Sequence, residues 1–465
     1  LRPQERRHEP VAMSFRARVK AILGTLVRLA VPAAALGLVG CAQMGPPATP
    51  SPYPPIDEAK YTTLYPYYAE ICALSELEKK PGFGADIFSG IGGHEVLYLN
   101  GVCREKDTDY PVLGLCDPSK EQSAGGGVGL SSNAHYSNAM WVAVKGRDFF
   151  FNGGLPAGET LDPNAYRAVQ AEAKAQRIYA GVTFHDAVFD DMPPGFTRAD
   201  FKYEISVSTD YAIAFGRNRY CGRVPMDKVQ MSRVVAYLNQ LNQPYRDGKI
   251  FDWNIFTHNC GHVNHNALTA ADLWNEWKMD QFILLAVLDF PVPENEFVNL
   301  MRRTNDMPID DLDAVYDDKM ARAMLLDGGR LPTEPGALAD FGMIMPHNAL
   351  YDTDSRIIFY DDPITGRYRR SLSAMLAQPR YFRLEDNLRY FAALYARIDT
   401  ARKSLAWHLA ERRPMSAAET ADYSRFYDRY YRYIDAQRQE VRRDLDLLDP
   451  PVRNENEQVS STYAP

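Results

Sequence analysis

Basic residues are the minority charge in this chain: 52 Lys and Arg stand against 60 Asp and Glu, a formal net charge of −8. A balance of that sign argues against a nucleic-acid partner, which calls for a basic face. The chain has no Gly-x-Ser-x-Gly elbow, so a seryl triad of the α/β-hydrolase kind has no support. Its glycine run, Gly125-Gly126-Gly127-Val128-Gly129, lacks the lysine and helix start of a phosphate loop and reads as a flexible connector. There is no internal repeat. Beyond the N-terminal region, the apolar stretch Phe282 to Leu288 is too short to cross a bilayer and is broken by Pro291-Val292-Pro293. Cysteine is scarce, with six in 465 residues, so each one carries information. Aromatic residues, at 12% with 28 Tyr, are plentiful. They indicate an ordered chain after residue 60, long enough for two or three domains and a sizeable core.

The N-terminal region reads as a targeting segment and is set aside from the fold. From Met13 a basic stretch (Arg16, Arg18, Lys20) leads into an apolar run, Ala21 to Gly40, interrupted by Arg28 and Pro32. Those two residues argue against a permanent membrane helix. The run ends Leu38-Val39-Gly40-Cys41, which resembles the lipobox of bacterial lipoproteins. The resemblance implies cleavage before Cys41, lipidation of its thiol, and anchoring to a membrane. Ala42 in the next position resembles lipoproteins sent to the outer membrane. The compartment is then oxidising and permits disulfides. With Cys41 lipidated and Cys260 free, Cys72, Cys103, Cys116 and Cys221 remain. Cys103 and Cys116 enclose a short polar loop and form the easiest pair, leaving Cys72 with Cys221, although four cysteines allow three connectivities.

The chain divides into a leader (1–41), a Pro-rich tether (42–60), a first domain (61–280), a mainly helical region (281–450) and a disordered tail (451–465). Within the first domain, residues 66–80 read as a helix stopped by Pro81-Gly82. Val96 to Val102 reads as a strand. Gly146-Arg147-Asp148 reads as a hairpin turn between strands at Ala139 to Val144 and Phe149 to Phe151. Pro163 to Ile178 and Met226 to Gln240 read as helices, and Tyr211 to Phe215 as a short strand. Residues 385–411 and 416–448 carry long amphipathic patterns, with Tyr423, Phe426, Tyr427, Tyr430, Tyr431 and Ile434 at helical spacing. A packed helical hairpin explains them; a partner groove is the sharper alternative.

The chemistry concentrates at Thr257-His258-Asn259-Cys260-Gly261-His262-Val263-Asn264-His265, just before a helical pattern, and at Gly93-His94, which opens the strand pattern. A cysteine becomes nucleophilic when a helix N-terminus and an imidazole stabilise its thiolate. Asn259 is a plausible cap for a helix starting at Cys260. Gly261 permits close approach of a carbonyl, and the Cys260 amide is placed to donate to an oxyanion. His262 packs or caps locally.

A histidine on a strand followed much later by Asn-Cys-x-His at a helix head resembles the circularly permuted papain-like fold. That group includes permuted NlpC-type peptidases and lecithin retinol acyltransferase-like proteins. The likeness covers roughly residues 66–275. It implies an α+β fold, a small antiparallel sheet packed on helices, followed here by the mainly helical C-terminal region. It also implies thiol-based hydrolysis or transfer at an amide or ester, with Cys260 as nucleophile, His94 as base and no cofactor. The third residue, which orients the histidine, is expected from a neighbouring strand. Trp141 to Val144 carries no acid, so His135 is favoured over Asn133 and Asn138 just before it. Glu95 lies on the strand face opposite His94. An envelope location would make peptidoglycan peptides the most available amides.

Three other readings compete. Cys260 and His94 fit a buried structural pair. His258, Cys260, His262 and His265 fit a metal site only if the first two wrap back onto the helix, and no distant acid completes it. A non-catalytic lipoprotein holding a partner through its helical half would show an inert Cys260 and a large apolar patch there. Asp190-Asp191, Asp310-Asp311 and Asp361-Asp362 read as solvated loops.

Overall fold

The computed structural model describes residues 41–44 and 53–449, apart from 86–92, 107, 117–125, 157, 256, 280–291, 343–347, 352–357 and 362–365. Residues 1–40, the apolar stretch at 282–288 and the tail lie outside the described residues. The fold is α+β. Six strands form an antiparallel sheet: β1 (Tyr68–Leu74), β2 (His94–Asn100), β3 (Val128–Ser131), β4 (Val142–Lys145), β5 (Arg219–Pro225) and β6 (Leu338–Gly342). Their order across the sheet is β4-β3-β2-β1-β5-β6. Cys41–Met44 pairs with Ile358–Asp361 in a separate ribbon, so the range expected to be a free tether contains a strand.

The range 66–80 holds a strand, β1, at Tyr68–Leu74 rather than a helix. All seven of its residues are buried. A short apolar run covered on both faces has no period to display, so strand and helix look alike in sequence. Its register places Cys72 directly opposite Cys221 on β5, and the two are joined by a disulfide. A second disulfide, Cys103–Cys116, ties the small ribbon of Val102–Arg104 and Leu113–Leu115. The two bridges span 149 and 13 residues. Loop-closure entropy then assigns about 5 kcal/mol to the first and about 3 kcal/mol to the second. Replacing both Cys72 and Cys221 by Ala is expected to lower the urea midpoint more than the same change at Cys103 and Cys116. Equal or reversed midpoints would show that chain entropy does not govern these bridges.

The expected hairpin at 146–148 is instead the start of helix α1 (Arg147–Asn152). Gly146, at φ +87, turns the chain out of β4, and the three phenylalanines pack inward from the helix. The helix brings Arg147 to Glu70 on β1 in a two-pronged ion pair, and Arg223 on β5 adds a contact at 3.2 Å. Glu70 is fully buried. Burial alone would raise its pKa, but Arg147 and Arg223 together hold it down to about 2. Its folded pKa lies below its unfolded value of 4.5. The pair therefore contributes stability above about pH 4.5 that is lost as pH falls toward 2, on the order of 3 kcal/mol. Acid titration of unfolding free energy should show this loss in the wild type and not in Glu70→Gln; parallel curves would refute it.

Tyr211 to Phe215 forms a turn with Ala212 at φ +51, not a strand. The strand of this region is β5, a few residues later. Helices α2 (Lys228–Arg246), α3 (Cys260–Ala270) and α4 (Pro293–Asp306) follow. A capping box of Asp227 and Gln230 starts α2. Helix α4 covers the sheet face of Ala73 and Tyr220 with Phe297, and packs Leu300 and Met301 against Gly222. The C-terminal region is mainly helical, led by α5 (Leu384–Ala401) and α6 (Ala417–Leu448). The stripe Tyr423, Phe426, Tyr427, Tyr430, Tyr431 and Ile434 is buried against Leu388, Phe391, Leu394, Tyr395 and Ile398. It is core. On these helices and the link between them, Trp407 and Leu447 are the large apolar side chains left exposed among the described residues.

Candidate active site around Cys260

Helix α3 begins at Cys260 because Asn259 stops the preceding loop. Its backbone is extended, and its Oδ1 accepts from the His262 N–H at 3.0 Å. The same oxygen lies 2.9 Å from His262 Nδ1, and the Asn259 amide donates to the Ile255 carbonyl at 2.7 Å. His262 therefore braces the cap, with its ring edge-on to Trp277. Its pKa is lowered to about 4 by burial and by His258 and His265.

Cys260 carries a free thiol. The backbone N–H groups of Glu95, Gly261 and Cys260 itself point to its sulfur. Two belong to the first turn of α3 and one to β2, so a helix terminus and a strand meet at this atom. Such donors favour a thiolate. They do not prevail in the resting fold: burial, then the Glu95 carboxyl, push the thiol up to about 12. Glu95 is itself buried, and neither of its oxygens nor the nearby Asn264 amide nitrogen finds a hydrogen-bonding partner in good geometry. Burial, then Glu296, raise its pKa well above the usual carboxylate range, which favours its neutral form. At neutral pH the site holds a protonated thiol beside the Glu95 carboxyl.

His94 opens β2, and strand alternation turns it to the face opposite Glu95. Its Nε2 lies 2.9 Å from Ser131 Oγ, which donates to the Thr209 carbonyl at 3.0 Å. Burial, then Arg217, depress its pKa to about 3, against a bond to the Thr209 carbonyl. No hydrogen bond joins His94 to Cys260 among the described residues. Arg217 is the group in electrostatic reach of both: its charge lowers His94, and the Cys260 thiolate would raise Arg217. This guanidinium is 1% exposed, donates to the Ser75 carbonyl at 3.1 Å and has an unpartnered Nε. Burial lowers its pKa to about 10.

The side chain hydrogen-bonded to His94 is Ser131, and no hydrogen bond joins His94 to His135 among the described residues. The strand beside β2 is β3, which ends in Ser131; Val142–Lys145 is one strand further out. The glycines before Ser131 disguised β3 as a connector. His135 stacks on Phe184, with its Nδ1 unpartnered. Asn133 joins Tyr136 and Tyr179 in bonds to the buried Asp210 carboxylate. Asn138 ties its loop to Gly181 and Thr183. Arg217 left a fainter trace, as an arginine following an apolar stretch.

The histidines near Cys260 point to separate partners. His258 Nδ1 meets Thr257, and His262 meets Asn259. His265 meets Glu296 at 2.9 Å and the Asn275 carbonyl at 2.7 Å, its ring parallel to Trp274 and Trp277. The one close cluster of metal-type ligands among the described residues is Glu70, Cys72 and Cys221, and its sulfurs are bonded to each other.

Chemically, the site offers a thiol, a neutral imidazole held by a serine, and backbone donors placed to receive negative charge. No protein-family model, no curated protein and no solved structure matches this chain.

Proposed function

We propose that the protein is a thiol-dependent hydrolase or acyltransferase, with Cys260 as nucleophile and His94 as base. The observation that carries this reading is the Cys260 sulfur at the head of α3, faced by the N–H groups of Glu95, Cys260 and Gly261. The same donors would stabilise the thiolate as it forms. The resting pair is neutral, so proton transfer to His94 would accompany attack on the carbonyl rather than precede it. Ser131 holds the imidazole, and Arg217 supplies a fixed positive charge to the site. The sulfur adds to an amide or ester carbonyl, the leaving group departs with the proton from His94, and water or an amine releases the acyl group. The lipobox-like Leu38 to Cys41 supports an envelope lipoprotein, for which peptidoglycan peptides are the nearest amides. No described helix is long and apolar enough to cross a membrane.

A second reading, a non-catalytic lipoprotein, draws support from the raised thiol pKa and the missing His94–Cys260 bond. Against it, the helical half buries its tyrosine stripe and leaves only scattered apolar side chains exposed. Turnover of activated esters and of peptidoglycan-derived peptides by wild type and Cys260→Ala separates the two. Turnover lost with the thiol supports the enzyme; equal rates leave the binding role.

A further inference from the structure

A cleft of about 470 Å³ opens between α3, α4 and the first helices of the C-terminal region. It is distinct from the thiol site, reached on α3 at His265 rather than Cys260. One side is aromatic: Trp274 and Trp277, fixed in place by their parallel stacking with His265. The lining also carries three guanidinium groups, those of Arg302, Arg303 and Arg367. The volume is that of a small-ligand site.

The charges of this cleft are unevenly satisfied. Its carboxylates are held by the protein: Glu296 by His265, Asp306 by Arg380 and Tyr381, and Asp318 by the N–H groups of Met320 and Ala321. Two of its guanidinium groups are not. Arg303 donates Nε to the Leu273 carbonyl at 2.7 Å and turns Nη2 to the sulfurs of Met320 and Met324. No carboxylate lies within ion-pair distance of Arg303 or Arg367 among the described residues. Arg303 is partly withdrawn from water, which lowers its pKa. Asp318 acts on Arg303 through space without an ion-pair contact, so a bound anion could still add direct hydrogen bonds to this guanidinium.

We propose that this cleft is a second binding site, for a saccharide bearing a carboxylate. The carboxylate would sit on Arg303 and Arg367, the sugar face would lie on the indole wall, and the Asn299 carbonyl oxygen would accept from a hydroxyl. Indole faces suit a pyranose ring, and planar guanidinium groups suit a carboxylate. The reading is independent of chemistry at Cys260.

Trp274 and Trp277 make the test direct, because they report through intrinsic fluorescence. The full chain is titrated with a glucuronate disaccharide, the matching neutral glucose disaccharide and inorganic phosphate. Saturable quenching by the uronate is expected, with the neutral sugar at least about tenfold weaker and phosphate without effect on the tryptophans. Arg367→Ala, at an exposed position, and Arg303→Gln should each weaken uronate binding about tenfold, while Arg303→Lys retains part of it and Cys260→Ala all of it. The proposal is overturned if uronate and neutral sugar bind alike, if phosphate saturates the site equally well, or if neither arginine change affects a folded protein's affinity. Loss of esterase activity in Cys260→Ala with uronate binding intact would keep the two sites separate.

Discussion

Iodoacetamide should label Cys260 about a hundredfold more slowly than an unhindered thiol at pH 7.5. Burial and the neighbouring Glu95 carboxyl hold its pKa at about 12. Against an ordinary thiol near 8.5, its thiolate fraction is then about 10³-fold smaller. A more basic thiolate is also more nucleophilic, and a Brønsted slope near 0.45 returns about 40-fold of that loss. Labelling should keep rising through pH 10 without a plateau. Glu95→Gln sharpens the test. Burial favours the neutral form of Glu95, so the variant should match wild type wherever that form holds. It should become faster only in alkali, where an ionised Glu95 would repel the thiolate. A plateau below pH 8, or a rate equal to that of glutathione, would mean that thiolate and imidazolium coexist in the resting protein, and the neutral-pair account would fail.

The residues explain why some of this was legible and some was not. Cys260 at a helix start, with Asn259 as cap, could be read from sequence because capping is local chemistry: one side chain meets one N–H three residues on. The C-terminal helices were equally open, since a stripe such as Tyr423 to Ile434 repeats at 3.6 residues. Strand β1 was not, because Tyr68 to Leu74 is covered on both faces and carries Glu70, a charge whose burial depends on Arg147 and Arg223 far along the chain. The helix at Arg147 was missed for the same reason. Three phenylalanines in a row carry no period, and only the pull of Arg147 toward Glu70 distinguishes their conformations. In the site, the errors are errors of adjacency. Ser131 stands beside His94 through the β2–β3 register, in which Val96 opposes Ser131. Arg217 lies just before β5, which is separated from β2 by β1. Neither pairing has a signature shorter than the fold itself.

His94→Ala should lower ester or amide turnover by about 10²- to 10⁴-fold, the range for removing a positioned base. Ser131→Ala should cost less, about tenfold, because it frees the imidazole to rotate without removing it. The magnitudes alone would not exclude a structural effect, so the pH profile decides. The profile of kcat/KM reports groups of the free enzyme. His94 is depressed to about 3, so it remains an unprotonated base down to about pH 3 to 4 and is lost only below that. The thiol keeps its proton up to about 12. Between these limits the neutral pair is intact, and kcat/KM should be flat from about pH 5 to 9. The acid limb should move upward in Arg217→Met, part of the way that burial leaves open. Removing that positive charge relieves His94, so its pKa rises and the limb moves upward, while a variant that merely loosened the fold would lower the plateau and leave the limb in place. A wild-type profile that is bell-shaped around neutrality would point to an ion pair. A limb unmoved by Arg217→Met would take Arg217 out of the mechanism, because its charge would then have no consequence for His94.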